Sequence, residues 1–358
     1  MNIGLLTLPL GANYGGILQN FALQKILQKA GHRATTLQLP FPAFDSPKIQ
    51  AQRELEQQKC GALRRFVQER IALTAPLTYP LAMAQLEPYA FDGFIVGSDQ
   101  IWRPSFRYRA FLKAMFLDFS FQGKVELKRI AYAASFGQVK WSIPRLLMYR
   151  FSLKKLARRF DQISVREGIG AEYCKNLFGI NPFVALDPVM LLDGEEYSAA
   201  LDLPPIAGQS HCLTAYILDP TPAKTAALKK LQDRLGNPEC LSFTNYPNCP
   251  GEMPSPMEWL DAFRKASFVV TDSFHGTVLS LLFGKPFMTF ANISRGVERF
   301  VTLLTPFHLE DRLLHLQEGH YNLSDDLLKP LDASQIQETL SPRRQESLKW
   351  LLDGLFIP

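Results

Sequence analysis

The stretch "SFVVTDSFHGTVLSLLFGKPFMTFA", residues 267–291, decides the fold. It opens as a short apolar strand running to Thr271. Asp272 or Ser273 follows as a natural helix N-cap. A helical segment then closes at Gly284, and "PFMTFA" forms the next strand. Working backwards, the same alternation repeats. "CLTAYIL" and "CLSFT" read as strands, and "AKTAALKKLQDRLG" and "PMEWLDAFRKA" as helices. Forwards, "VERFVTLL" reads as a further helix. Short continuous apolar runs alternating with helical periods predict a parallel sheet covered on both faces.

The first half follows the same plan less regularly. "NIGLLTL", "FDGFIVG", "RIAYAAS", "QISVRE" and "PFVALDPVM" are its strand candidates. Residues 41–85 are poor in strand signal and rich in Gln, Arg and Pro, which predicts an insertion with a helix near 61–73. The Pro-containing stretch "LDLPPIAGQS" separates the halves. The fold class expected is therefore α/β, with two Rossmann-like doubly wound domains, 1–200 and 201–358, facing a cleft. Ligands of such sheets sit outside the carboxyl ends of the strands.

A chain of 358 residues with 47% hydrophobic and 20% charged residues builds its own core without staples. Five scattered cysteines form no CxxC pair, so reduced thiols are expected rather than a disulfide framework or a zinc site. No apolar stretch reaches the ~18 to 20 residues of a membrane span, and the N-terminal apolar run breaks at Pro9 without a basic leader. A cytoplasmic protein is the expectation. The charge of +5 is uneven: residues 1–195 carry 25 Lys and Arg against 15 Asp and Glu, and the remainder 14 against 19. A basic first half suits an anionic ligand or surface. In "IPRLLMYRFSLKKLARRF", Leu146, Tyr149, Leu153, Leu156 and Phe160 recur at helical spacing among arginines and lysines. This helix, 144–160, either lies on an anionic membrane surface or packs on the core with a solvated basic face.

Several strand ends carry residues with chemistry. His275 falls in the first turn of its helix, where the dipole and free amides bind anions. An imidazole there is a usable acid or base, and Gly276 lets a ligand approach the backbone. A capped helix with a hydrogen-bonded histidine is the competing reading. Arg166, after "QISV", can grip a carboxylate or phosphate bidentately, or form a salt bridge with an acid such as Glu167. In "GSDQIW", Ser98, Asp99, Gln100 and Trp102 suit a polyol or sugar, or simply make a turn. Asp187 stands at a further strand end, where capping is its plain role. The N-terminal turn "GANYGG" places Asn13, Tyr14, Gly15 and Gly16 before a helix facing the cleft.

Together, "NYGGILQNFALQ", "GSDQIW", "YAASFG", "SVRE", "DPVMLL" and "VTDSFHG", in that order, resemble the polysaccharide pyruvyl transferase family across nearly the whole chain. The resemblance implies a GT-B-like fold and transfer of the enolpyruvyl unit of phosphoenolpyruvate to a sugar as a ketal, on capsules, exopolysaccharides or other cell-envelope polymers. It implies that Arg166 and an Arg-Leu-His triplet handle the donor. The triplet aligns with Ser273, Phe274 and His275, so the histidine matches and the arginine does not. Arg295 or Arg299 is then the candidate second cation. The expected donor site is Arg166, Ser273, His275, Gly276 and Arg295, with His275 and then Asp99 as acid/base. The expected acceptor site is Asn13, Tyr14, Gly15, Gly16, Ser98, Gln100 and Trp102. No metal, cofactor or nucleic acid is expected. The acceptor is a sugar that could be lipid-linked, which would place the protein at the inner face of the membrane. A GT-B glycosyltransferase using a nucleotide sugar and a non-catalytic glycan-assembly protein are the alternatives.

Overall fold

The computed structural model describes residues 1–40, 47–103, 109–121, 127–137, 147, 149–206, 212–246, 248–292, 296–316 and 323–356. Its strands are β1 (Asn2–Leu6), β2 (Arg33–Thr36), β3 (Gly93–Gly97), β4 (Lys128–Ala134), β5 (Gln162–Val165), β6 (Phe183–Val184), β7 (Leu213–Tyr216), β8 (Cys240–Phe243), β9 (Phe268–Thr271), β10 (Phe287–Phe290) and β11 (Leu313–Leu314). They form a sheet of order β2-β1-β3-β4-β5-β6 and another of order β11-β10-β9-β7-β8. Every pairing is parallel. The central strands β3, β7, β9 and β10 are buried at every residue, as strands covered by helices on both faces must be.

Strand order reverses between β1 and β3 in the first sheet and between β7 and β9 in the second. At such switch points the connections leave to opposite faces and open a crevice at the carboxyl ends of the strands. Helix Tyr14–Lys29 follows β1 and helix Phe274–Leu282 follows β9. Both begin at a switch point, and the two starts meet across the domain junction.

The helices Pro47–Lys59 and Gly61–Arg70 lie in the expected insertion. They reach the second domain: Met253 N–H donates to the Lys59 carbonyl at 2.7 Å, and the Cys60 and Met253 sulfurs are 3.7 Å apart. The closing helix Ala333–Phe356 runs back to the first sheet. Trp350 stacks on Phe183, Ser347 Oγ accepts from the Leu186 N–H, and Arg344 Nε donates to the Met190 carbonyl. The first domain is thus completed by the end of the chain, which differs from a single division at residue 200.

The basic segment also differs from one of its expected forms. Leu153 and Ala157 are buried in the core, and Leu156 and Phe160 pack against it. Leu153, Leu156 and Phe160, three of the five residues at helical spacing, therefore cover protein. Leu146 lies outside the described residues. No helix among the described residues is long and apolar enough to cross a membrane.

Candidate active site

The two switch points face each other through one close contact. A Cβ built on Gly15 would sit 1.9 Å from His275 Nδ1. Only a residue without a side chain lets the imidazole pack against the start of helix Tyr14–Lys29. Gly276 is constrained similarly, since its Cβ would meet Thr271 Oγ1 at 2.3 Å. A side chain at Gly15 would meet the imidazole and one at Gly276 would meet Thr271, so both positions require glycine.

The first domain supplies strain and charge. Ser98 and Asp99, leaving β3, are consecutive non-glycine residues with φ of 45° and 56°. Left-handed backbone at side-chain-bearing residues is costly and clusters at functional sites. The turn is held by the Ser98 N–H donating to the Tyr132 carbonyl and the Ser135 N–H donating to the Asp99 carbonyl. It points Asp99 Oδ2 at Asn13 Nδ2, which donates across 3.3 Å. Asn13 also caps its own helix by accepting from the Gly15 N–H.

Behind this turn, three side chains converge on Asp187. Its Oδ2 accepts from Gln19 Nε2 at 2.5 Å and from Arg166 Nη1 at 2.8 Å, and lies 3.7 Å from His275 Nε2. Its Oδ1 accepts from the Val189 N–H, the plain capping role. Gln19 Nε2 also donates to Ser98 Oγ at 2.7 Å. Burial would raise the Asp187 carboxyl. His275 and Arg166 outweigh it and hold the group well below the ordinary carboxylate range. Burial likewise works against the Arg166 charge, but Asp187, Glu167 and Asp99 around it secure the cation.

Two kinds of donor remain unused here. Arg166 Nη2 and His275 Nε2 are buried without a hydrogen-bond partner among the described residues. The Phe274, His275 and Gly276 N–H groups have no protein acceptor among the described residues, and Ser273 Oγ does not cap them. A helix start carrying free amides beside a buried guanidinium is suited to an anion. The Phe274 ring has the Arg166 guanidinium 4.5 Å from its centre and that of Arg299 5.4 Å away. Arg166, Asp187, Phe274 and Arg299 share the lining of a cavity of about 30 Å³. That space takes a water or two.

The sequence model of the polysaccharide pyruvyl transferase family matches residues 13–294, a span running from Asn13 past the His275 helix. The chain belongs to the polysaccharide pyruvyl transferase family. The family is one of transferases. No curated protein matches the sequence. Among solved structures, UDP-GlcNAc 2-epimerase from Neisseria meningitidis bound to UDP-GlcNAc is 10% identical with a TM-score of 0.51, over 99% of this chain and 100% of that one. An alpha-glucosyltransferase in complex with UDP and a 13-mer DNA containing a HMU base is 11% identical with a TM-score of 0.50, over the whole of both chains. The likeness is one of fold, and that fold is GT-B.

Within this pyruvyl transferase fold, Asn13, Gly15, Gly16, Ser98, Asp99, Arg166, Ser273, His275 and Gly276 gather at the facing strand ends. Gln100 lies beside them, with Oε1 accepting from Arg103. Arg295 lies outside the described residues. Two expected acceptor contacts are corrected. Trp102 is wholly buried, stacks on Phe116, and donates its indole N–H to the Met115 carbonyl at 3.0 Å. It has neither face nor donor left for a sugar. Tyr14 is 1% exposed, stacks on Trp259, and donates its hydroxyl to the Pro254 carbonyl at 2.6 Å. It clasps the two domains. Tyr14→Phe keeps the stack and drops the hydrogen bond, so it should cost about 1–3 kcal/mol in urea unfolding.

Gln19 was not legible as a site residue. A signal existed: Gln19, Asn20 and Gln24 are amides among the apolar residues of their helix, and all three are buried. Buried amides demand partners, and Gln19 finds its own in Ser98 and Asp187.

Proposed function

We propose that the protein transfers the enolpyruvyl unit of phosphoenolpyruvate to two hydroxyls of a sugar, forming a ketal and releasing phosphate. The observation that carries this reading is the convergence of the Phe274–Gly276 amides, Arg166 and His275. Phosphoenolpyruvate brings a phosphate and a carboxylate. Helix amides suit the first and a guanidinium suits either. Arg299, with its guanidinium 5.4 Å from the centre of the Phe274 ring, takes the place of the arginine that Ser273 replaces.

In this reaction C3 of the donor gains a proton, and positive charge develops at C2. One sugar hydroxyl attacks C2, the C–O bond to phosphate breaks, and the second hydroxyl closes the ketal. Of the two hydroxyl protons, one is matched by that now on the methyl group and the other leaves with phosphate. His275 delivers the proton to C3. Asp99, beside Asn13, accepts one from the sugar. No cofactor enters. The acceptor is a sugar of a cell-surface polysaccharide or its lipid-linked precursor, met at the inner face of the membrane.

Calorimetric titration with phosphoenolpyruvate, beside UDP and UDP-sugars, tests the donor. Saturable binding of phosphoenolpyruvate is expected. It should weaken at least about tenfold in Arg166→Lys, which keeps the charge and loses the planar fork. Binding of UDP-sugars in place of phosphoenolpyruvate would assign the chain to nucleotide-sugar transfer instead.

A further inference from the structure

The segment between β4 and β5 leaves apolar side chains in water that its buried face does not explain. Phe151 is 74% exposed and Leu147 47%. Leu147 is four residues before Phe151, which sits in the π-helical turn Tyr149–Leu153. Exposed beside them are Arg150, Lys155, Arg158 and Arg159, with Lys154 half-exposed. No acidic residue occurs from 147 to 160. Meanwhile Leu153 and Ala157 anchor the opposite side in the core. The outward side is therefore fixed in place, cationic and tipped with an aromatic ring.

Its position follows from topology. A crossover between parallel strands runs antiparallel to them. The helix ends at Ala157 and β5 begins at Gln162, so its last turn lies at the amino ends of the strands. Tyr149–Leu153 is a π-helical turn and Lys154–Ala157 an α-helical one, so the segment leads back from the amino ends of the strands toward their carboxyl ends. Leu147 and Phe151 thus stand at the carboxyl-end edge of the sheet, the edge that carries Ser98, Asp99 and Arg166.

We propose that Phe151 and Leu147, flanked by Arg150, Lys154, Lys155 and Arg158, form a docking face for an anionic phospholipid surface, which turns the mouth of the active site toward the membrane. Apolar tips inserting below a ring of cations is the chemistry that membrane-surface elements use. Arginines and lysines are drawn to the negative leaflet, and that attraction fades with salt. The proposal deepens the acceptor side of the proposed function, since a sugar carried on a membrane lipid would reach Asp99 and His275 from this edge. It does not depend on the donor.

Co-flotation of the full-length protein with vesicles tests it, with phosphatidylcholine alone compared with phosphatidylcholine plus phosphatidylglycerol. Binding is expected on the anionic vesicles only, and it should weaken at high salt. Phe151→Glu should lower partitioning by about tenfold or more. Arg150→Glu should lower it severalfold. Ile206→Glu, at an apolar residue 43% exposed elsewhere, should leave it unchanged. Circular dichroism checks that each variant is folded. No binding to anionic vesicles, equal binding to neutral ones, or the same loss in Ile206→Glu as in Phe151→Glu would overturn the proposal. Because no substrate is present, these outcomes are separate from the phosphoenolpyruvate titration.

Discussion

Gly15→Ala should abolish phosphoenolpyruvate binding and lower the melting temperature by several degrees. The added carbon would lie 1.9 Å from His275 Nδ1, 2.4 Å from Cγ and 2.5 Å from Cε1. Non-bonded carbons sit about 3.5–4.0 Å apart. The ring cannot absorb this in place, because it is wedged beside Phe274 and aimed at Asp187. Either it rotates away from Asp187, or the domains separate and strain the adjoining stack of Tyr14 on Trp259. Overpacking of this kind costs about 1–3 kcal/mol. Gly168→Ala is the control. It meets nothing within 4 Å and should stay within about 1 kcal/mol of wild type. A double variant separates the two effects. Adding His275→Ala to Gly15→Ala removes the clash, so stability should recover while donor binding does not. Wild-type melting and binding in Gly15→Ala would mean that the closed contact plays no part in the working enzyme.

How much of this was legible beforehand depended on whether the signal was local. β9 and β3 announce themselves as runs of buried residues between turn residues, and their ends mark out His275 and Ser98. β2 does not. Its "RATT" offers one clearly apolar residue in four, and its buried positions are Ala34 and Thr36. β11 spans two residues, and the closing helix carries Pro342 in its interior, a residue that normally ends a helix. In the candidate site, residue type and strand-end position singled out Arg166, Asp99 and Gly15. The partner that each one faces was not in the string. Gly15 and His275 are brought together by two domains, and Gln19 becomes a site residue only because Asp187 lies across from it. Tyr14 and Trp102 were misplaced for the same reason. An aromatic side chain in a turn reads alike whether it faces a sugar, a neighbouring domain or the core.

Asp187→Asn is expected to be the most destabilising polar substitution in the site, and to flatten the acid limb of the stability curve. The Asp187 carboxylate is 1% exposed and neutralises Arg166, itself 2% exposed, at 2.8 Å. Removing one member of a buried ion pair leaves an uncompensated charge and costs about 3–5 kcal/mol. Glu167, 3.7 Å from Arg166 Nε, recovers part of this. The pH dependence has a definite sign. The folded-state carboxyl is held below its unfolded value of about 3.9, despite burial, by His275 and Arg166. Its stabilisation is therefore complete above about pH 4 and is lost as the pH falls from there toward the folded-state value, with a limiting slope of about 1.4 kcal/mol per pH unit. Urea unfolding of wild type and Asp187→Asn through this range isolates the contribution, because the other carboxylates titrate in both. The gap between the two proteins should be widest near neutrality and should narrow on acidification. A gap that stays constant with pH would mean that Asp187 serves as a hydrogen-bond acceptor alone. The charge it places beside His275 would then have no share in holding the imidazole toward the donor.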